Sequence, residues 1–185
     1  MEIETFNETR LTDSALAEIQ QSLKKNLKWL EKSFGKAQRI TKEIKGKTFI
    51  FPACFSGGKE YVGVEPCSNH GNFSFFVLRD PQEFDGEIWG KLTVKVDLIV
   101  WLDVRRIYYL EAEERNIELV KDEILKVLTQ KTRLSNGKFT VNRIFERAEN
   151  IYGDFPAIRE ANNQFLMHPF AAFRFECTLK IEQVC

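Results

Sequence analysis

Apolar and polar residues alternate most regularly in Lys91–Leu102. Leu92, Val94, Val96, Leu98, Val100 and Leu102 fall at every second position and share one face of a pleated strand. Thr93, Lys95 and Asp97 take the other face, joined by Ile99 and Trp101, so the strand starts in solvent and ends under another layer. After a short polar connection, Ile117, Val120, Ile124 and Leu128 recur at steps of three and four, which predicts an amphipathic helix from about Glu114 to Lys131. Its apolar stripe needs a sheet or another helix to bury it.

Upstream, Leu16, Ile19, Leu23, Leu27 and Leu30 form a second helical stripe, with Trp29 and Phe34 nearby. They predict a helix over 13–34, capped by Thr12 or Asp13 and ended by Gly35, behind an extended arm of residues 1–12. Strands are predicted at Lys47–Phe55, Glu60–Val64 and Phe73–Leu78, with a turn at Gly57–Gly58 and an acidic, exposed loop over 79–90. Pro52 interrupts the first of them; proline lacks the ladder N–H, so this strand belongs at an edge or changes partner there. Beyond the second helix come a turn at Asn136–Gly137, a strand at Phe139–Phe145, a long connection over 146–168 and a final half-buried strand, Ala171–Ile181. The order α-β-β-β-β-α-β-β has clustered rather than alternating strands. It predicts an α+β fold: one domain over 13–185, a mainly antiparallel sheet, and an N-terminal and a second helix packed on it.

Composition adds a core and an interface. The chain has 185 residues, 43% hydrophobic and including 16 phenylalanines, enough for one substantial core or a subunit contact. Net charge is zero, so no global field draws the chain to nucleic acid or an anionic membrane. The charge is unevenly placed, however. Lys24–Lys47 holds nine Lys/Arg against two Glu, and Arg79–Glu123 holds seven against twelve Asp/Glu. Such segments are either solvated faces or unlike patches of identical subunits that meet head to tail. The acidic first seven residues carry no apolar run, so no secretory signal is expected, and no apolar stretch is long enough to span a membrane. Cys54, Cys67, Cys177 and Cys185 are expected as free thiols in a reducing cytoplasm.

No catalytic, cofactor or metal set emerges. Cys67-Ser-Asn-His70 has ligand spacing, yet a structural zinc needs four such ligands and only one short pair exists. Cys54 or Cys67 with His168 as a nucleophile–base pair needs the fold to bring them together. Ser56-Gly-Gly-Lys59 lacks the helix start of a phosphate loop, and Asp80, Glu83, Asp85 and Glu87 do not follow a calcium-loop pattern. Phe73, Phe75 and Phe76 lack interleaved basic neighbours, and Arg105–Tyr109 is too short for a nucleic-acid groove.

The succession Lys91–Trp101, polar break, helix, Lys138–Phe145, long loop and Phe173–Ile181 resembles the tail-terminator and tail-completion (head–tail joining) proteins of tailed bacteriophages and prophages. Val100-Trp101 and Phe173-Arg-Phe-Glu-Cys-Thr-Leu179 carry the resemblance most directly. It is one of topology and pattern over residues 13–182, without a diagnostic motif, and terminator, head–tail connector and neck ring are alike compatible. The resemblance implies a non-enzymatic virion subunit, assembled from the host cytoplasm. The subunit forms a homo-oligomeric, six-fold ring against the tail tube and the connector or neck, with genomic DNA in its lumen, no cofactor and no membrane contact. The arm, the 79–90 and 146–168 loops and the strand edge near Pro52 are then the expected interface, through Phe6, Pro52, Phe84, Arg105, Arg106, Tyr108, Tyr152, Phe155 and Phe165. Two other readings are a non-viral protein-interaction adaptor and a small metal-binding protein.

Overall fold

The computed structural model describes residues 11–44, 46–57, 60–66, 70–86, 90–107, 117–155, 158 and 167–184. Its elements run α1 (Leu11–Asn26), β1 (Lys32–Ile44), β2 (Lys47–Gly57), β3 (Glu60–Gly63), β4 (Phe73–Asp85), β5 (Gly90–Asp103), a 3-10 turn (Val104–Arg106), α2 (Ile117–Gln130), β6 (Arg133–Leu134), β7 (Gly137–Phe145), α3 (Ala148–Ile151) and β8 (Phe170–Val184). The strands form one open sheet of eight, ordered β3-β2-β1-β4-β5-β8-β7-β6. The β1–β4 pair is parallel and the other six ladders are antiparallel. The fold is therefore α+β with a mostly antiparallel sheet, in the expected order of helices and strands. β1, β6 and the short α3 are additions.

β5 lies at the centre, between β4 and β8, and both of its faces are covered at its C-terminal half. One face joins Val94, Val96, Leu98, Val100 and Leu102 to Phe173, Phe175, Cys177 and Leu179 of β8, under the stripes of α1 (Leu16, Ile19, Leu23) and α2 (Val120, Ile124, Leu128). Each such fully buried aliphatic or aromatic side chain stabilises the fold by roughly 1.5–3 kcal/mol. The opposite face gathers Phe73, Phe75, Ile99 and Trp101 under Ile151, Tyr152, Phe155 and Ile158, with Phe51 and Cys54 closing one side.

α1 ends at Asn26, eight residues before the predicted Phe34. Leu27, Trp29 and Leu30 all enter the core, at 2, 4 and 5% exposure. A helix would set residues 27 and 29 some 200° apart; a tight turn over Lys28–Trp29 lets all three converge. Asn72 holds that turn. Its Nδ2 donates to the Trp29 carbonyl (3.2 Å), its Oδ1 accepts from the Asp103 N–H (2.7 Å), and its own carbonyl accepts from Glu31 and Lys32 N–H (2.9 and 3.0 Å). Gly71 before it adopts φ 65°, and a Cβ there would lie 2.4 Å from the Glu31 carboxylate.

The segment expected as a loop over 79–90 is strand as far as Asp85, because β4 continues past the core beside β5 with a bulge between Arg79 and Glu83. Every residue from Asp80 to Gly86 is exposed, so no buried face imposes alternation on the sequence. Pro52 sits where β2 changes partner. It stands opposite Arg39 of β1, and its carbonyl accepts from Val64 N–H just past the β3 ladder, which begins at Ala53↔Gly63. A strand residue turns its nitrogen and carbonyl to the same side, so the missing N–H faces the side where that ladder has ended.

The Ser135–Asn136 turn closes the β6–β7 hairpin, and a Cβ on Gly137 would lie 2.0 Å from the Lys180 carbonyl oxygen of β8. Gly137→Ala should lower stability by about 2 kcal/mol, since the clash is with backbone that cannot repack. An unchanged urea midpoint would show that the strands separate there at no cost.

Candidate assembly surface

β1 and β4 pair at Lys32↔Phe73, Ser33↔Ser74 and Lys36↔Phe76, with an irregularity around Gly35. Beyond those pairs β1 continues only with β2, and β4 only with β5, among the described residues. The sheet thus forks into two ribbons. Arg39, Thr41, Lys42 and Glu43 of the first and Asp80, Glu83 and Phe84 of the second are exposed. A two-stranded ribbon has little stability of its own in water, so each ribbon is anchored by its base.

The fork is tied by charge. The Nε of Arg79 (β4) donates to Asp97 Oδ2 (β5) at 2.6 Å, and its Nη1 lies 2.5 Å from Asp154 Oδ2 in the turn after α3. Asp154 Oδ1 reaches Arg39 Nη2 of β1 at 3.6 Å. On the far side, Arg174 Nε (β8) stands 3.8 Å from Asp97, with its guanidinium 4.2 Å above the Phe145 ring of β7. This chain of five charges runs across the sheet from β1 to β8. Asp97 is 1% exposed; burial pushes its pKa up against the pull of the two arginines. Asp97 Oδ1, Arg174 Nε and the Tyr152 hydroxyl are buried without a hydrogen-bond partner among the described residues. The network pins the turn that carries Tyr152, and sequence reasoning missed it because Arg39, Arg79, Asp97, Asp154 and Arg174 share no local motif.

The residues singled out from the sequence scatter accordingly. Phe6, Tyr108 and Phe165 lie outside the described residues, as do the arm up to Arg10 and most of 156–166. Tyr152 and Phe155 are 0 and 1% exposed, and Pro52 is buried. Tyr152 and Phe155 are interior rather than surface residues because the second face of β4 and β5 needed a cover, which they provide with Ile151 and Ile158; Pro52 is buried in β2, opposite Arg39 of β1. Burial without a partner also pushes the Tyr152 phenol up, far out of its ordinary range.

Arg105 and Arg106 are exposed but held within the chain. Arg105 donates through Nε and Nη2 to Asp103 (2.9 and 2.7 Å) and lies 5.4 Å over Phe170; Arg106 grips both oxygens of Glu31 (2.6 and 2.8 Å). Burial raises the Asp103 pKa, but the Arg105 side chain and N–H more than offset it, so the carboxyl ionises below its usual range. A depressed folded-state pKa contributes stability at neutral pH that is lost as pH falls through the carboxylate range. Asp103→Asn should therefore melt lower at neutral pH and lose less on acidification than the wild type. Parallel melting-temperature losses of the two proteins would overturn this assignment.

Among the described residues, Phe84 is the one predicted contact residue that is exposed and apolar, at 59%. A Cβ on Gly86 would lie 2.2 Å from its ring, and one on Gly90 2.3 Å, so the two glycines make a seat across which the ring lies. It is an exposed apolar knob near the described end of the second ribbon, with Asp80, Glu83 and Asp85 close to it in sequence.

Metal and nucleophile readings gain no support. Among the described residues no group of three or more His, Cys, Asp and Glu converges. Cys67 lies outside them. His70 Nε2 meets the Gly63 carbonyl at 2.9 Å between the Phe34 and Phe73 rings, and burial lowers its pKa. Cys54 donates to the Gly35 carbonyl at 3.6 Å, and burial pushes its thiol and that of Cys177 up, which disfavours the thiolate. No helix among the described residues is long and apolar enough to cross a membrane. No protein-family model matches the chain, and comparison with curated proteins finds no match.

Proposed function

We propose that the chain is a structural subunit of a homo-oligomeric ring at the tail or neck of a tailed phage or prophage, a tail terminator or head–tail connector. Six copies meet head to tail, and the ring contacts the tail tube on one side and the connector or neck on the other. What supports the reading is the fork. A subunit whose sheet splits beyond Lys36 and Phe76 into two ribbons with exposed outer ends, one carrying the exposed Phe84, offers two different surfaces to its neighbours. Heterologous contacts between such surfaces form a ring where the rotation from copy to copy closes. The role is mechanical and needs no cofactor.

Native mass spectrometry of the full chain across a range of concentrations, with electron microscopy of the same samples, tests it. A metal-free species of about six subunits, seen as rings, is expected for closed heterologous assembly. A chain that stays monomeric throughout overturns the ring. A monomer that carries one tightly held metal overturns it in favour of a metal-binding protein.

A further inference from the structure

The ring reading leaves open which surfaces of two neighbouring copies meet, and the knob at Phe84 has a counterpart elsewhere on the chain. Between the end of α1 and the side of α2 lies a cleft of about 290 Å³, floored by Leu27, Trp29 and Val127. It is slightly smaller than the ~300–1,000 Å³ of small-molecule sites and has the scale of inserted side chains. Trp29 is fixed in it by donating Nε1–H to Glu123 Oε2 at 2.9 Å. The exposed Lys28 and Lys126 stand at its rim, beyond the Lys24–Lys25 pair that ends α1. Lys126 also reaches Asp122 one turn away at 2.5 Å, a surface pair of small energetic weight.

Knob and cleft are complementary in shape and sign. Phe84 stands among Asp80, Glu83 and Asp85, with Lys91 opposite Asp85, so the described tip is net negative. The cleft has an apolar floor, and the charges around it are mixed but net positive, with Lys24, Lys25, Lys28 and Lys126 against Asp122 and Glu123. They also lie at opposite ends of one strand. The cleft adjoins the turn that Asn72 holds just before β4, and Phe84 lies near the end of that strand. Eleven residues at ~3.3 Å each place them roughly 35 Å apart, too far to meet within one chain.

We propose that Phe84 of one copy seats in the α1–α2 cleft of the next copy, making the head-to-tail contact of the ring. The inference rests on the ring reading and names its interface. The ring is anchored by an aromatic side chain in a desolvated pocket, with unlike charges at the rim that set orientation and encounter rate.

Sedimentation velocity on full-length protein tests it with two exposed-surface variants. Phe84→Glu destroys the knob and leaves the cleft; Lys28→Glu with Lys126→Glu reverses the cleft rim and leaves the knob. Each should keep the wild-type far-ultraviolet circular dichroism and melting temperature, and each should associate roughly thirtyfold more weakly than wild type. Mixed together they retain one intact knob and one intact cleft, so the mixture should form heterodimers and stop there. If wild type forms rings and folded Phe84→Glu forms them equally well, the contact is overturned and the ring stands. A mixture of the two variants that remains monomeric also overturns the pairing. A wild type that is itself monomeric at every concentration overturns the ring reading, and this contact with it.

Discussion

Replacing Trp101 with alanine should lower the unfolding free energy by about 4 kcal/mol. Trp101 is fully buried and is the largest such side chain in the described structure. Its indole is stacked on Phe73 (5.6 Å between centroids, 29°) and on Phe170 (5.2 Å, 22°). Opposite it on β8 stands Ala172, whose small side chain leaves the indole its room. Truncation removes the transfer energy of the ring and leaves a cavity on the sheet face between the Phe73 and Phe170 rings, which the strand ladders on both sides of β5 keep in place. Domains of this size are stable by about 5–15 kcal/mol, so the variant should approach the limit of folding at physiological temperature. Trp101→Phe keeps an aromatic in the stack and should lose less than half as much. Urea unfolding of the three proteins decides it; equal losses for alanine and phenylalanine would mean that neither the stack nor the volume a phenyl ring restores contributes, and would overturn the prediction.

Replacing Asp97 with alanine should cost about 3 kcal/mol through a different mechanism. The carboxylate is buried between Arg79 and Arg174 and meets the first through Nε at 2.6 Å. Its loss leaves Arg79 with Asp154, 2.5 Å away, but leaves the guanidinium of Arg174, whose side chain is 12% exposed, with the face of Phe145 as its remaining partner among the described residues. An uncompensated buried charge is the costly half of a broken pair. The damage should also spread, because Asp154 is shared with Arg39 and so links β1 to the turn bearing Tyr152. Hydrogen exchange should accelerate at β1 and at residues 151–155 before it does so in β5. The double replacement Asp97→Leu with Arg174→Met removes both charges and should recover most of the loss. If the double variant is as unstable as Asp97→Ala, the uncompensated charge of Arg174 is not what the loss of Asp97 costs.

The strands whose faces differ were legible. β5 and β8 alternate because one face of each meets the helices, and the burial along Leu92–Leu102 follows the predicted face. α2 was legible for the same reason, since Val120, Ile124 and Leu128 form the buried stripe. The missed β1 and the loop that proved to be strand share one cause. Lys32–Ile44 has no fully buried residue among those described and only Phe34, Ala37 and Ile40 against the core, and Asp80–Asp85 is exposed throughout, so periodicity carries little information there. The Leu16–Leu30 stripe misled in the opposite way, since Leu27 and Leu30 continue it at helical intervals but, with Trp29, reach the core from a turn.

By itself, then, the sequence determined the α+β class, the central position of Lys91–Leu102, the second helix and the half-buried final strand, because a contrast between core and solvent writes itself into residue order. Only the tertiary structure decided where the chain is interior and where it is surface at its aromatic and charged residues. Tyr152 and Phe155 became core because an exposed sheet face had to be covered, and five charged residues from distant segments became one network because the strands bring them together. Phe84 stayed outside because its ribbon runs past the core, on a seat made by two glycines. Burial and long-range pairing depend on which segments become neighbours in space, and no local pattern encodes that.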